Sequence, residues 1–265
     1  MKKSALFLVF CVCIASVAMG QNIIIVTEQQ QLEDVGTESI SEYLRGQGYN
    51  VTLDPNATVD DSEYEGVLTD EEIAYLESFD VVVVHRSISS GDYDDDIAQW
   101  NNLNVPMLNG SAYLPRNNRW FWADVSQQRT VATGVNIAIP DHPIVQGLTG
   151  EFFSIPLGID HLSPGDVGEG SVVATITNDS GEEANAIVVW EPDDAFTAAG
   201  GQEHTQARVF LPFYRYHENF VGSDPADGLF TDYTENGLKM IDQAIQYLMT
   251  FSEGSSGSQG WELFK

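Results

Sequence analysis

Polar side chains that can do chemistry follow four short apolar runs of the sequence. They are Glu28, the run His85, Arg86 and Ser87, then Ser111, and finally Arg215, His217 and Glu218. A histidine near a carboxylate can act as a general acid or base, and a nearby serine can act as a nucleophile. These side chains are therefore candidate catalytic residues, with Glu28 or Glu218 as the carboxylate that could assist a histidine, but position alone assigns no role to any of them. Loops after strands are polar in any case, so Ser111 could equally be a small turn residue.

The same histidines support a second interpretation, as metal ligands. His85 and His217, together with Glu28 or Glu218, would give nitrogen and oxygen donors suited to zinc or another divalent ion. The spacing of these histidines in the sequence does not match a known zinc-binding motif. His142 precedes Pro143 in a turn and is predicted to be a structural hydrogen-bonding residue instead.

An acidic run at residues 92–96 is a candidate for a hard cation such as calcium. Asp92 and Asp94 belong to four carboxylates within five residues, after a glycine that could provide a turn. The run lacks the closing glutamate of an EF-hand, and such runs are usually solvated or begin a helix. The sequence requires no cofactor, and a divalent cation is the one that its side chains could hold.

An aromatic segment at residues 116–122 points to a sugar. It places three aromatic and two arginine side chains within seven residues. Aromatic faces stack on sugar rings, and arginine binds hydroxyls; the alternative is that the tryptophans fill the core. If the segment is extended, Trp120 and Trp122 share a face. His85 and Arg86 would polarise the substrate. The predicted substrate-binding residues are Glu28, Arg86, Ser87, Trp120, Trp122 and Arg215.

The elements that position these residues alternate between strands and helices. Apolar runs at 22–27, 49–53, 79–84, 105–109 and 207–213 predict strands covered on both faces. Apolar residues at helical spacing predict four helices. The first ends near 46–48, the second begins after Thr69, the third carries Trp100, and the last begins after Thr234. This alternation predicts an α/β fold with a mainly parallel sheet. In such a sheet the carboxyl ends of the strands share one edge, where ligands bind.

The middle of the chain has a different composition. Residues from about 115 to 205 are richer in Gly, Pro, Thr and Asn than the rest of the chain. Apolar and polar residues alternate at 172–178 and 185–191, as in a strand with one buried face. We expect an antiparallel insertion within one domain that covers residues 21–251. The tail at 252–265 has the composition of a flexible linker, which leaves a homo-oligomer or a larger assembly open.

The first twenty residues have the features of a secretory signal peptide. A positive start, an apolar run and a small-residue cleavage site at 18–20 predict removal of residues 1–20 and a secreted or periplasmic protein. Both cysteines, Cys11 and Cys13, lie inside this segment, so the mature chain would have no thiol chemistry. No later apolar run is long enough to span a membrane.

The charge excludes nucleic acid as a partner. The 265 residues carry 11 basic and 40 acidic side chains, a net charge of −29. Phosphate backbones are bound by basic surfaces, which this composition does not provide. A neutral small ligand such as a carbohydrate fits the charge better.

Several segments, in order, resemble a known family. FDVVVV at 79–84, VPMLNGS at 105–111, ARVFLPFYRYHE at 207–218 and TENG at 234–237 are similar to the class I glutamine amidotransferase-like fold. A mid-chain DHPIVQGL at 141–148 is most similar to its ThuA-like branch, the trehalose-utilisation proteins. The resemblance spans about 22–250 and implies a flavodoxin-like three-layer sandwich. It also implies that the protein binds or processes a carbohydrate.

The resemblance places Ser111 where a true glutaminase has its cysteine. His217 and Glu218 fall at the positions of the base and its orienting acid, without the proline that separates them in glutaminases. Without the cysteine, glutamine amidotransfer is not expected. Three alternatives remain: a sugar-processing hydrolase or isomerase, a metal-assisted or Ser-His hydrolase, and a non-catalytic surface or assembly module.

Overall fold

A computed structural model describes residues 20–27, 35–54, 64–86, 88–154, 156–196, 206–213 and 233–252, with side chains from residue 40 onward in the second range. The predicted signal peptide, apart from Gly20, and the predicted tail, apart from Ser252, lie outside the described residues.

The described elements are, in chain order, β1 (Asn22–Val26), α1 (Val35–Gln47), β2 (Asn50–Leu53), α2 (Asp70–Leu76), β3 (Val81–Val84), α3 (Ile97–Asn102), β4 (Met107–Asn109), β5 (Gln127–Ala132), β6 (Asn136–Ile137), β7 (Leu157–Leu162), β8 (Ser171–Thr177), β9 (Glu183–Trp190), β10 (Arg208–Phe210) and α4 (Glu235–Met249). Each apolar run that predicted a parallel strand contains one, from β1 to β4 and at β10.

Local sequence fixes where the helices begin. Thr69 caps α2: its hydroxyl accepts from the Glu72 N–H, and the Glu72 carboxylate accepts from the Thr69 N–H. Thr234 caps α4 through the N–H of Gly237. These caps satisfy backbone donors that the first helical turn leaves unpaired, so both predicted starts are confirmed.

The strands form one mixed sheet in the order β2-β1-β3-β4-β10-β9-β7-β5. Neighbours from β2 to β10 pair in parallel, and the sheet continues through antiparallel pairs from β10 to β5. Strand β8 pairs with β9 and with β6 away from this path. The antiparallel strands come from residues 127–190, within the predicted insertion, and they extend the same sheet.

Helices cover both faces of the parallel strands. Alternate side chains of β1 separate into two cores, with Ile23 and Ile25 on one face and Ile24 and Val26 on the other. The first core includes residues of α1 and α4, and the second includes residues of α2 and α3. The predicted three-layer α/β sandwich with an antiparallel insertion is therefore confirmed.

No helix in the part of the chain that the structure describes is long and apolar enough to cross a membrane.

Candidate functional site

The site lies at the carboxyl edge of the parallel strands, where the chain leaves each strand in register with its neighbour. The N–H of His85 donates to Val26 O at 2.9 Å, and the N–H of Gly110 donates to Val84 O at 2.8 Å. The N–H of Leu211 donates to Asn109 O at 3.0 Å. These bonds continue the sheet past β1, β3, β4 and β10. They bring the first residues of the four loops side by side, as the sequence predicted.

A close backbone approach shapes the centre of this edge. The Phe213 ring lies 5.6 Å from the His85 ring between centroids. A Cβ on Gly110 would come within 2.5 Å of the same phenyl ring, so this packing requires glycine. His85 is fully buried here.

Arg86 is held by an ion pair with the antiparallel half of the sheet. Its Nε donates to Asp160 Oδ2 at 2.6 Å, and both side chains are almost fully buried. Arg129 donates to both oxygens of the same carboxylate, and Gln127 donates to Oδ1. Burial raises the pKa of Asp160, but the hydrogen bonds and charges of the two arginines outweigh it, so the pKa lies below its ordinary value. Asp160 therefore stays ionised and fixes the orientation of Arg86.

Tyr113 connects two arginines. The guanidinium carbon of Arg86 lies 4.6 Å from the centroid of the Tyr113 ring, and that of Arg116 lies 5.1 Å from it. Arg116 Nε also donates to Tyr113 O at 2.8 Å. Guanidinium groups over a phenol ring are attracted by its electron-rich face. Tyr113 therefore places both cations beside the end of β4.

Ser111 sits in a tight turn that Asn109 holds. Its N–H donates to Asn109 Oδ1 at 2.9 Å, and its carbonyl accepts from Asn109 Nδ2 at 3.1 Å. The Ser111 Oγ is buried and has no hydrogen-bond partner among the described residues. The hydroxyl is thus held at the edge with its hydrogen-bonding capacity unused.

The backbone of Ser111 is not that of a nucleophile elbow. Such an elbow is a strained turn between a strand and a helix. Among the described residues the non-glycine positions with positive φ are Phe121 and Asp193, and no helix begins between Ser111 and β5. Ser111 therefore lies in a turn without elbow geometry, and its role as a nucleophile stays a prediction.

Five predicted site residues lie outside the described residues: Glu28, Ser87, Arg215, His217 and Glu218. The pairing of His217 with Glu218, and its approach to His85 and Ser111, stay predictions.

The predicted sugar-stacking tryptophans are core residues. Trp120 and Trp122 have no exposed surface, and their ring centroids lie 5.4 Å apart in a cluster with Trp100, Trp190 and Phe196. Segment 116–122 is a series of turns, with Phe121 at φ 58°, so it does not form the extended strand that stacking required. The prediction of a sugar-stacking surface is therefore replaced by the alternative, tryptophans that fill the core.

Of the predicted zinc ligands, His85 is described and His217, Glu28 and Glu218 are not, so the zinc site stays a prediction. No group of three or more His, Cys, Asp or Glu side chains that could hold a metal ion occurs in the described part of the chain. Asp94 forms an ion pair with Arg119 at 3.0 Å, and Asp92 is exposed. The Asp96 side chain caps α3 by accepting from the Gln99 N–H. The acidic run thus begins a helix, which was the alternative to a calcium loop.

Two residues of this edge were missed by sequence reasoning. Asp160 lies in β7, which interrupts its apolar residues with Gly158 and with polar residues, so no alternation marked the strand. Tyr113 follows Ser111 by two positions in a loop without periodicity. No pattern in the sequence links either of them to Arg86.

A separate surface pocket of about 300 Å³ lies between α2 and α3. Its lining residues are Ile73, Asp96, Ala98, Gln99, Asn102 and Leu103. None of the predicted site residues lines it.

Solved structures share this architecture. A protein from Parabacteroides merdae described as ThuA-like superposes with a TM-score of 0.50 at 10% sequence identity, covering 87% of this chain and 90% of that chain. The fold is ThuA-like. The resemblance seen in the sequence is confirmed at the level of the fold.

A protein from Thermoplasma acidophilum described as part of a GMP synthase is also similar, with a TM-score of 0.43 at 12% identity, covering 86% of this chain and 93% of that chain. No family model matches the sequence. No curated protein matches it either.

Proposed function

We propose that this chain is an exported protein of the ThuA-like fold that binds or processes a carbohydrate at the carboxyl edge of its parallel strands. The observation that carries the proposal is unused hydrogen-bonding capacity at that edge. The buried Ser111 hydroxyl has no hydrogen-bond partner among the described residues, and the Arg86 guanidinium is anchored to Asp160 through its Nε. Sugar hydroxyls both donate and accept, so they can pair with a hydroxyl and with guanidinium N–H groups.

The fold supports this proposal by analogy. Proteins of open parallel sheets bind ligands beyond the carboxyl ends of the strands. The sequence resembles trehalose-utilisation proteins at residues 141–148 and 207–210, and this favours a sugar over other neutral ligands.

Calorimetric titration with a panel of mono- and disaccharides tests the binding part. We expect Ser111→Ala to raise the dissociation constant of the sugar about fivefold, which corresponds to the loss of one hydrogen bond. Lys239→Gln removes an exposed charge on α4 that pairs with Glu235, and should leave affinity unchanged. Equal affinities for the wild type and for Ser111→Ala would contradict the proposed position of the sugar.

The processing part is tested by His217→Ala. An acid or base that acts only during the reaction contributes little to ground-state affinity. The variant should therefore bind the sugar as the wild type does and lose product formation, followed by NMR. If a sugar binds the wild type but is never converted, the protein binds carbohydrate without processing it, and that part of the proposal is wrong.

Glutamine hydrolysis is not proposed, because the two cysteines of the chain lie at Cys11 and Cys13, within the predicted leader. Ammonia release from glutamine above a His217→Ala control would overturn this exclusion.

The proposal includes export, based on residues 1–20. We expect the protein recovered outside the cytoplasm to begin at Gln21, as measured by intact-mass spectrometry. Recovery of the full chain from Met1 in that fraction would contradict cleavage.

A further inference from the structure

Strand β5 forms one edge of the sheet. Among the described residues it pairs with β7 alone, in a continuous register without a bulge. The N–H of Ser163 donates to Ser126 O at 2.7 Å, and hydrogen-bonded and non-hydrogen-bonded positions alternate along an antiparallel pair. The backbone N–H and C=O groups of Gln127, Arg129 and Val131 therefore face away from β7, toward the outside of the sheet.

The opposite edge of the sheet, at β2, is guarded by a side chain. Arg45 of α1 donates from Nη2 to Val51 O at 3.2 Å. A strand that paired with β2 would have to displace this guanidinium group from the carbonyl. Charged side chains at an edge are a common means by which proteins prevent pairing between sheets.

The side chains of β5 leave its own edge open. Arg129 donates from Nε and Nη2 to Asp160, and a Cβ on Gly158 would lie 2.8 Å from Arg129 Cδ, so this arginine lies over β7 and not over the edge. Gln127 Nε2 donates to the same carboxylate. Val131 is 69% exposed. Strand β5 thus has no lysine, proline or bulge to oppose pairing, and its one charge is directed inward.

The distribution of charge favours a second copy of this chain as the partner of β5. The chain carries 40 acidic residues, yet residues 125–140 contain none. Two copies of β5 that pair in antiparallel orientation about a two-fold axis would place no carboxylate opposite another. Each copy would satisfy the outward backbone groups of the other, and Val131 would be removed from water.

We propose that the protein forms a two-fold symmetric dimer through β5, so that the sheets of two copies join into one. This interface adjoins the candidate site, because Arg129 and Gln127 hold the Asp160 carboxylate that orients Arg86. The inference goes beyond the proposed carbohydrate function and does not depend on it.

Sedimentation velocity from nanomolar to submillimolar concentrations tests the dimer. We expect a concentration-dependent species with twice the mass of the monomer. Sodium chloride should increase its fraction, because salt screens the repulsion between two acidic copies.

Two substitutions of Val131 test the surface. Val131→Pro removes an outward N–H and leaves the hydrogen bonds to β7 in place, so it should abolish the dimer. Val131→Lys should raise the dissociation constant of the dimer about tenfold or more, because a lysine on an edge strand opposes pairing.

Val67→Lys is the matched control for charge. Val67 is 60% exposed and precedes α2, and the substitution changes the net charge by the same unit as Val131→Lys. This variant should dimerise as the wild type does. Near-ultraviolet circular dichroism of the buried tryptophans confirms that each variant is folded.

Three outcomes would contradict the proposal. The first is a wild type that stays monomeric at every concentration. The second is a dimer that survives Val131→Pro, since the copies would then associate through another surface. The third is a Val67→Lys variant that weakens the dimer as much as Val131→Lys, since charge and not strand pairing would then be responsible.

Discussion

Arg208 shows how one buried residue can hold several segments together. It is fully buried, and its Nη1 and Nη2 atoms donate to five carbonyls. Two of these, Asn101 O and Leu103 O, lie at the end of α3, where helix carbonyls lack partners. Burial lowers the pKa of Arg208 to about 9, so the side chain stays charged at neutral pH. The arginine of the ARVF segment thus has a structural role, connecting α3 to β10.

We expect Arg208→Lys to lower the free energy of unfolding by about 2–4 kcal/mol, because an ammonium group cannot reach carbonyls on both sides and leaves them buried. Urea unfolding followed by tryptophan fluorescence measures this. Arg45→Lys is the matched control: Arg45 is exposed and donates to Val51 O, so its loss should cost about 0.5 kcal/mol or less. Equal effects of the two variants would contradict the role given to Arg208.

His142 has the structural role that the sequence predicted for it. Its Nδ1 accepts from the Ile144 N–H at 3.3 Å, and its ring lies 5.0 Å from that of Tyr247 between centroids. Burial lowers the pKa of His142 to about 4. The unfolded chain, with an ordinary histidine pKa near 6.5, therefore takes up a proton between pH 6.5 and 4 that the folded chain does not.

The stability contribution of neutral His142 is consequently lost as the pH falls through that range. We expect His142→Gln, which keeps an acceptor but does not titrate, to lose about 1 kcal/mol less than the wild type between pH 7 and pH 5, after allowance for partial exposure. Urea unfolding at both pH values measures the difference. An identical loss in both proteins would mean that His142 titrates normally in the folded state.

At the scale of elements, two backbones cross without room for a side chain. A Cβ on Gly134 would lie 1.9 Å from Gly150 O, where an isolated bridge pairs Gly134 with Glu151. By contrast, a Cβ on Gly46 in α1 would meet nothing within 4 Å. A side chain at position 134 would therefore clash with backbone atoms, whereas one at position 46 would not.

We expect Gly134→Ala to destabilise the fold by about 1–3 kcal/mol or more, because backbone atoms cannot move aside. Gly46→Ala should stabilise it by about 0.5 kcal/mol, because alanine restricts the unfolded chain and favours helix. Thermal unfolding of both variants tests the contrast. A stabilising Gly134→Ala would show that the two chain segments do not cross at this distance.

The elements that could be predicted are those with a local signal. Valines 81–84 are buried on both faces, and Thr69 and Thr234 are helix caps, so composition and spacing alone located β3, α2 and α4. A candidate site could be predicted at the carboxyl edge of the parallel strands, because the topology fixes which loops meet there. The contacts at this edge could not be predicted, because Arg86 and Asp160 are 74 residues apart in the sequence and Tyr113 lies in a loop without periodicity. Trp120 could not be assigned either, because aromatic residues suit a core and a sugar site equally.

At the scale of the molecule, the parallel and antiparallel halves meet along β10 and β9, and the ion pair of Arg86 with Asp160 also joins them. Strand β10 pairs with β4 in parallel and with β9 in antiparallel orientation. Arg86 follows β3, and its partner Asp160 lies in β7, so their ion pair spans the boundary. The site therefore depends on the insertion staying docked on the parallel strands.

Charge repulsion acts against this docking throughout the molecule. A net charge of −29 repels itself in the compact state more than in the unfolded chain. Salt screens that repulsion, because the Debye length falls from about 30 Å at 0.01 M to about 10 Å at 0.1 M. The buried pair of Arg86 and Asp160 is screened much less than exposed charges, so the stabilising interaction survives while the repulsion weakens.

We therefore expect the midpoint of thermal unfolding to rise by about 2–8 °C when sodium chloride is raised from low to moderate concentration, which corresponds to about 1–2 kcal/mol. Sodium chloride is the appropriate salt, because sulfate stabilises most proteins by exclusion from their surface. Asp160→Asn removes the negative charge of the boundary pair and replaces one accepting oxygen with a donor, and it should lower the midpoint at every salt concentration by a similar amount, without removing the salt-dependent rise. A midpoint that stays level or falls with salt in the wild type would mean that exposed ion pairs, not repulsion, dominate the electrostatics of the fold.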